Sequence, residues 1–514
     1  MNKPTSAVVV RVAASAAYAV GIDLGTTSSA IALIDESGAA RIVADAHGKA
    51  IIPSVVHVKQ DGSVLVGQAA VDASVSNAAN TFYSVKRLLG RPFAQVKDLL
   101  PGLTFSVTEG PDGTSLLALA STDVGAGTAT MSPEQVSAHI VRHLLERAQG
   151  TLGDGALPIR EAVVTIPAYF GVAQRKATVE AAKLAGLQKV TLLQEPVAAA
   201  MAYGFGKPTD WDTLLVFDLG GGTLDLSLLE VFDGIMEVVE TGGDAMLGGD
   251  DFTAASVAMV TSALPDGLRM QLLEGRASPG LRLALRHAAE EAKVGLSEAE
   301  SVSVALALGD EGAGVAGVSG GGALQLGFSA GALEAACSPL VTRLWPPLER
   351  LATDTRTQYG GAHPADGTLP GFRGVSASDA ESAGGSGSGG SGGSTPGAPP
   401  ARAAAHIGRT FSVFKTVTAP SESVQSRYAP RPRTITGVVL VGAATRMPAV
   451  RALLAHVTGL PPADGVDPEE VVALGAATHA GVMLGCSSGI EMADSSYVAK
   501  LHDRAAAMLS DWQP

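Results

Sequence analysis

Residues 216–231, VFDLGGGTLDLSLLEV, begin with apolar Val216 and Phe217, as a buried strand does, and end in an apolar run. Between them stand Asp218, the successive glycines Gly220, Gly221 and Gly222, then Thr223 and Asp225. Glycine weakens a strand and marks a turn or a close backbone approach. The pattern therefore predicts two strands joined at a bare tip with a carboxylate on each side. Residues 20–35, VGIDLGTTSSAIALID, repeat it: Asp23-Leu24-Gly25 matches Asp218-Leu219-Gly220, 195 positions apart. That distance is too long for a short solenoid repeat and predicts two homologous subdomains, each opening with a hairpin. Residues 161–206 read strand, helix, strand, helix, with Gly186 as a helix stop and Pro196 in the first turn of the second helix. Glu195 then falls at the N-cap, where Ser, Asp or Asn would be expected. A carboxylate at a strand's C-terminal end, beside a helix N-terminus, sits where α/β folds bind ligands.

Composition narrows the classes. A chain of 514 residues predicts two to four domains with sizeable cores. With 46% hydrophobic residues, 4% aromatics and 62 glycines it reads as an Ala/Gly/Val-rich α/β protein. A net charge of −14 and the lack of a large basic patch argue against a nucleic-acid partner. Two cysteines, Cys337 and Cys486, make no disulfide framework and suit a reducing compartment. No apolar run is long enough for a membrane helix, so no membrane partner is expected. Residues 1–17 read as a disordered leader or first strand, or else as a targeting peptide whose apolar stretch Arg11 interrupts. The corresponding compartments are the cytoplasm or, as the alternative, an organelle or secretory lumen.

The tips suggest chemistry. Glycine lets backbone N–H groups approach and cradle phosphate oxygens. Carboxylates repel phosphates unless a divalent cation lies between them, and Mg²⁺ bridges the two while keeping several waters. Two facing Asp-Gly hairpins describe a metal–nucleotide cleft between two lobes.

Eight motifs carry a family resemblance. In chain order they are GIDLGTTSS, FYSVKRLLGR, VVTIPAYFGVAQRKAT, LLQEPVAAAMAYG, LVFDLGGGTLDLSLLEV, GGDDF, AAEEAKVGLS and VVLVGAATRMPAV, spanning roughly residues 18–485. They resemble the nucleotide-binding domain of the seventy-kilodalton heat-shock chaperone family (the DnaK type), within the actin and sugar-kinase superfamily. The resemblance implies an α/β, two-lobed actin-like (ribonuclease H-like) ATPase fold with duplicated subdomains. Lobe I would be 18–205 and lobe II 206–485.

The resemblance also implies roles. ATP or ADP with Mg²⁺ would be the cofactors. Gly25, Thr26 and Thr27, with Gly220, Gly221 and Gly222, would contact phosphates, and Asp23 and Asp218 would hold Mg²⁺ through water. Lys86 would approach the γ-phosphate and the attacking water. Glu195 and Asp225 would complete the water and metal network, and Thr223 would orient the nucleophile. Glu290, Lys293 and Ser297, spaced to share one helix face, would contact the nucleoside. Gly442 would lie on the phosphate side and Arg446 on the adenine side. Pro167 and Arg175 would relay nucleotide state to the outer surface. Expected partners are nucleotide and co-chaperones, nucleotide exchange factors or a full-length chaperone.

Several positions depart from the family pattern. Ala443-Ala444 replace a usual Gly-Ser, and the added methyl is expected to crowd a close approach at the nucleoside end. Val294 replaces a frequent arginine, and Ala245 and Met246 replace a Thr and a His. Residues 359–433 form an insertion containing GGSGSGGSGGSTPGAPP, expected to be disordered. Residues 486–514 read as a short tail in place of a peptide-binding domain. His139 and His143 have metal-compatible i, i+4 spacing, but without a third ligand they read as a surface helix. GVSGG, 317–321, lacks the strand–turn–helix setting of a nucleophile elbow. Three functions follow. The first is a chaperone-type ATPase reduced to its nucleotide-binding domain. The second is a regulatory partner of other chaperones or the ribosome with little hydrolysis. The third is a small-molecule kinase, which chaperone-specific motifs such as EPVAAAMAYG disfavour.

Overall fold

The computed structural model describes residues 18–74, 77–120, 129–153, 155–204, 211–232, 235–308, 318–319, 322–361 and 433–484. The leader 1–17, the glycine–serine segment, the tail 486–514 and all but two residues of GVSGG lie outside them.

Two sheets repeat one plan. The first contains β1 (Val20–Leu24), β2 (Ser28–Ile34), β3 (Ala40–Ile42), β4 (Glu161–Ile166) and β5 (Lys189–Gln194), in the order β5-β4-β1-β2-β3. The second contains β6 (Trp211–Leu219), β7 (Leu224–Phe232), β8 (Ile235–Asp244) and β9 (Gly437–Val441), in the order β8-β7-β6-β9. In each sheet an opening hairpin is extended by a third antiparallel strand. A later strand then pairs in parallel with the first. The duplication read from the two Asp-Gly tips is thus a duplication of topology, and the fold is the two-lobed actin-like α/β arrangement.

The local chemistry explains the helices that flank the site. Six helices matter here: α1 (Pro133–Thr151), α2 (Val172–Leu184), α3 (Glu195–Ala202), α4 (Gly249–Ser262), α5 (Pro279–Glu298) and α6 (Val471–Leu484). Ser132 and Gln135 close a capping box at the start of α1. Beyond the end of α2, Gly186 takes the left-handed φ of +114° that stops the helix. The N-cap of α3 is Gln194, so Glu195 is the first helical residue rather than the cap. The shift of one position follows from Pro196, which fits within the first helical turn. His139 and His143 are half-buried on α1, and His139 Nδ1 lies 3.4 Å from Arg142. Among the described residues no cluster of His, Cys, Asp or Glu could hold a bare metal ion.

The first and last residues of the expected insertion belong to the fold. Thr357–Gln358 pairs in parallel with Arg433–Thr434, and Arg433 bonds Glu230 at 2.5 Å. The Gly361 N–H donates to the Val457 carbonyl. Both ends of the segment are therefore anchored on the second lobe.

The lobes are joined by crossed helices. Helix α6 is reached from the second lobe but packs on β1, β2 and β4 of the first sheet. Helix α3 comes from the first lobe, crosses α6 and touches β6 and β9. Their shared core is small-residue rich: Ala198, Ala199, Ala200, Ala476 and Ala480 pack with Val216, Val439 and Val441. The spacing is backbone to backbone. A methyl on Gly475 would lie 1.7 Å from the Ala198 carbonyl oxygen, and one on Gly21 would lie 2.1 Å from the Ala477 nitrogen.

This contact predicts a contrast. Gly475→Ala should cost ~1–3 kcal/mol, because the crossing must open to admit the methyl. Gly331→Ala, in a helix position with nothing within 4 Å, should be neutral or slightly stabilising. Denaturant unfolding of both variants checks this; equal midpoints would mean that the helix crossing is not close-packed.

Candidate functional site

The two hairpin tips meet. A methyl on Gly221 would lie 1.4 Å from Thr27 Oγ1, so only a bare backbone lets the second tip reach the first. A cleft of about 560 Å³ opens beside them, a volume suited to a cofactor-sized ligand. It gathers residues from both lobes. Asp23, Gly25, Thr26, Thr27, Lys86, Pro167 and Glu195 come from the first. Asp218, Gly220, Gly221, Thr223, Asp225, Glu290, Lys293, Ser297, Gly442 and Arg446 come from the second. Of the residues singled out in the sequence, Gly222 and Arg175 are outside this lining. Gly222 lies against Arg87. Arg175 donates from Nε to the Phe170 carbonyl at 2.8 Å, and the Phe170 ring lies 5.8 Å from the Lys86 amine. Pro167 and Arg175 are thus tied to the site through one turn, closed by the Phe170 N–H on the Pro167 carbonyl.

Register sets the charges. Asp218 and Asp225 are direct cross-strand partners beside the second tip. Like charges so placed destabilise a hairpin. Asp23 stands at the equivalent place in the first hairpin, where Thr165 Oγ1 donates to it at 3.1 Å. Glu195, 6% exposed, accepts a 2.7 Å bond from Lys86 Nζ. One amine therefore faces four carboxylates, Glu195 buried and Asp23, Asp218 and Asp225 half-buried in the cleft wall. Burial lifts the Asp23 carboxyl to about 7, Glu195 adding to the effect and Lys86 opposing it. Burial also lifts Asp225 to about 7, against the Thr223 hydroxyl, which donates to it at 2.7 Å. Asp218 is held well above the carboxylate range by burial, Glu195, Asp225 and Asp23. Burial works against the Lys86 charge, but Glu195 and the aspartates hold its amine above the usual value. Mg²⁺ bound through its own waters fits this donor set, because the carboxylates carry excess negative charge without converging on one bare ion position.

The other end of the cleft is polar and tethered. Lys293, 7% exposed, donates to the Gly249 carbonyl at 3.2 Å and Thr253 Oγ1 at 3.0 Å, and pairs with Glu290 at 2.8 Å. Ser297 Oγ donates to the Lys293 carbonyl one turn back. Gly442 has a φ of +86°, and its Cα faces the Leu219 carbonyl so closely that a methyl would lie 2.4 Å from that oxygen. Glycine is required there on both counts. Arg446 is held by Asp467 at 2.5 Å and Glu469 at 3.4 Å. Ala443, which carries the added methyl, is exposed in the cleft lining, and the buried Ala444 methyl packs toward Gly249 within the second lobe's core.

A family model described as Hsp70 protein matches residues 19–361 and 410–498. The chain belongs to the Hsp70 family. It is 33% identical over 475 residues to heat shock 70 kDa protein 7, chloroplastic, of Arabidopsis thaliana, covering 92% of this chain and 54% of that protein. It is 32% identical over 483 residues to the chaperone protein dnaK of Thalassiosira pseudonana, covering 92% and 64% respectively. The stromal 70 kDa heat shock-related protein, chloroplastic, of Pisum sativum is 33% identical over 477 residues, covering 93% and 55%. This Hsp70 chain therefore spans little more than half the length of two of these relatives and 64% of the third.

Sequence reasoning missed several residues that the geometry adds. Thr165 supports Asp23 and Thr253 bonds both Lys293 and Glu290. Tyr169 lines the cleft, its hydroxyl pushed to a high pKa by burial and then by Asp225 and Glu195. Arg87, next to Lys86, bonds the second tip. Thr165, Tyr169 and Arg87 lie inside quoted motifs, so position in the motif was the available signal. Thr253 directly follows GGDDF and had none beyond its neighbours.

The buried acids predict a pH dependence. A carboxyl raised in the folded state favours folding when protonated. Its contribution is complete below about 4 and is lost as pH rises to about 7. Without divalent cation, stability should thus fall over this window by a few kcal/mol from Asp225 alone. Asp218→Asn should raise the melting temperature of the ligand-free protein at pH 7.5, because an amide removes the cost of protonating or desolvating that carboxyl on folding. Thermal melts from pH 5 to 8 without Mg²⁺ check both; an Asp218→Asn protein less stable than wild type at pH 7.5 would refute the charge-excess account.

Proposed function

We propose that this Hsp70-family chain binds Mg²⁺–ATP and Mg²⁺–ADP in the interlobe cleft and slowly hydrolyses ATP to ADP and phosphate. The carrying observation is the buried Lys86–Glu195 pair set among Asp23, Asp218 and Asp225, directly beside two glycine-rich tips. When bound, Mg²⁺ supplies the positive charge that the four carboxylates and a polyphosphate both lack.

The chain's own groups divide the remaining work. Glu195 fixes the Lys86 amine at the floor of the cleft, where it faces the terminal phosphate and the attacking water. Thr223, bonded to Asp225, orients that water. Asp225, lifted to about 7, is matched to proton uptake near neutral pH. Gly25, Thr26, Thr27 and Gly220, Gly221, Gly222 contact the phosphates. Glu290, Lys293, Ser297, Gly442 and Arg446 hold the nucleoside. Asp23 and Asp218 hold the ion through water.

The cellular role is protein folding or quality control, carried out with co-chaperones, nucleotide exchange factors or a full-length chaperone. The reading is supported by relatives named as chaperones and heat shock proteins. Their chloroplastic names support an organelle setting over the cytoplasmic one.

Two measurements test the chemistry. Calorimetry should show ADP binding that weakens without Mg²⁺, and weakens likewise in Asp218→Asn with Mg²⁺ present. In single-turnover hydrolysis, Lys86→Ala should retain nucleotide and lose on the order of 10²-fold or more in rate, as for the removal of one positioned charge. Hydrolysis by Lys86→Ala at the wild-type rate would overturn the assignment.

A further inference from the structure

The three glycines of the second tip have their carbonyls taken by different partners. The Gly220 carbonyl accepts from the Gly249 N–H at 2.8 Å, and the Gly221 carbonyl from the Asp250 N–H at 2.7 Å. Both donors belong to the first turn of α4, in the same lobe. The Gly222 carbonyl accepts from Arg87 Nη2, which comes from the other lobe. A trans peptide points its N–H opposite to its C=O. Drawing back these three carbonyls therefore turns the N–H groups of Gly221, Gly222 and Thr223 to the opposite side. Among the described residues, the third of those carbonyls takes its partner from across the cleft.

We propose that Arg87 is a positioning residue that completes the phosphate cradle when the lobes close. Closure brings its guanidinium to the Gly222 carbonyl, which fixes the Gly222–Thr223 peptide and with it the backbone of Thr223. Opening releases the carbonyl and leaves the last tip peptide free to turn. The cradle is then complete only in the closed form, and nucleotide residence follows the clasp.

Three observations support this assignment. Arg87 Nε is buried beside the tip with no hydrogen-bond partner among the described residues, so the Nη2 contact to Gly222 is what orients the guanidinium. The tip cannot slide away from Arg87 along its own lobe, because a methyl on Gly248 would lie 2.5 Å from the Gly222 nitrogen. The neighbouring Ser84 makes a second contact across the lobes, its Oγ donating to Asp250 at 3.4 Å from a backbone φ of +54°. Asp250 is itself held by Arg286 at 2.6 Å. The 3₁₀ turn Val85–Arg87 thus delivers Lys86 to Glu195 and Arg87 to the opposite tip from adjacent positions.

The effect on nucleotide rests on the function proposed above; the effect on the tip does not. The first test is hydrogen–deuterium exchange of peptides covering 217–226 in the nucleotide-free full chain. Arg87→Ala should raise exchange at the tip, and Arg87→Lys should restore part of the protection through a single donor. Melting temperatures should stay within about 2 °C of wild type, since no core contact is lost. In parallel, release of a fluorescent ADP analogue should speed up about tenfold in Arg87→Ala, the lower end for one charge-assisted hydrogen bond. Tip exchange in Arg87→Ala identical to wild type would overturn the proposal, as would faster exchange spread evenly over both lobes. A wild-type protein that fails to bind the analogue would remove the nucleotide reading, while tip exchange would still decide the clasp.

Discussion

Four carboxylates and one amine crowd the half-buried floor of one cleft, and the rest of the structure is arranged around that imbalance. Asp23, Asp218 and Asp225 cannot all ionise beside Lys86 alone without a desolvation and repulsion cost. The backbone accepts the cost because the hairpin register places Asp218 opposite Asp225. No side-chain rotation removes that pairing. The site is thus built for a positively charged guest, and its ligand-free form carries the penalty. Local conflicts of this kind concentrate at functional sites.

The same logic explains why the lobes are joined by small residues. A cleft that gathers charge from two sheets must hold them close without filling the gap with large side chains. Helices α3 and α6 cross at Ala198 and Gly475 with backbones in contact, and β1 meets α6 at Gly21. This leaves the tips to meet as bare backbone, Gly221 on Thr27. Crossing and tips are therefore two levels of one constraint: each lobe must bring its hairpin to the other within a few ångströms. Duplication supplies the symmetry, since both hairpins open sheets of the same order.

Much of this was legible from local pattern. The two tips, the strand–helix–strand–helix run at 161–206 and the helical face of Glu290, Lys293 and Ser297 each depend on residues near in sequence. What could not be read depends on long-range placement. The pairing of Lys86 with Glu195 joins residues 109 positions apart, and Arg87 reaches Gly222 over 135. No periodicity encodes either. The crossing of α6 onto the first sheet was equally hidden, because its run of Ala and Gly reads only as a buried helix.

The departures from the family pattern divide along the cleft by the physics at each end. Beside the two tips, position is fixed by charge: Asp23, Lys86, Glu195, Asp218, Thr223 and Asp225 each have a bonded or electrostatic partner in the group. Substituting Lys86 would leave the carboxylates without their one cation, which is expensive, whereas neutralising one of the excess aspartates relieves repulsion. The opposite end and the rim are looser. Val294 and Met246 stand half exposed in the lining, so changing them exchanges one solvated contact for another. Lys293 is the exception that supports the rule. It is buried at the far end and keeps three partners of its own, Glu290, Thr253 and the Gly249 carbonyl, before any ligand arrives. Burial of charge, rather than position along the cleft, therefore sets which of these groups already has its partners in place before any ligand arrives.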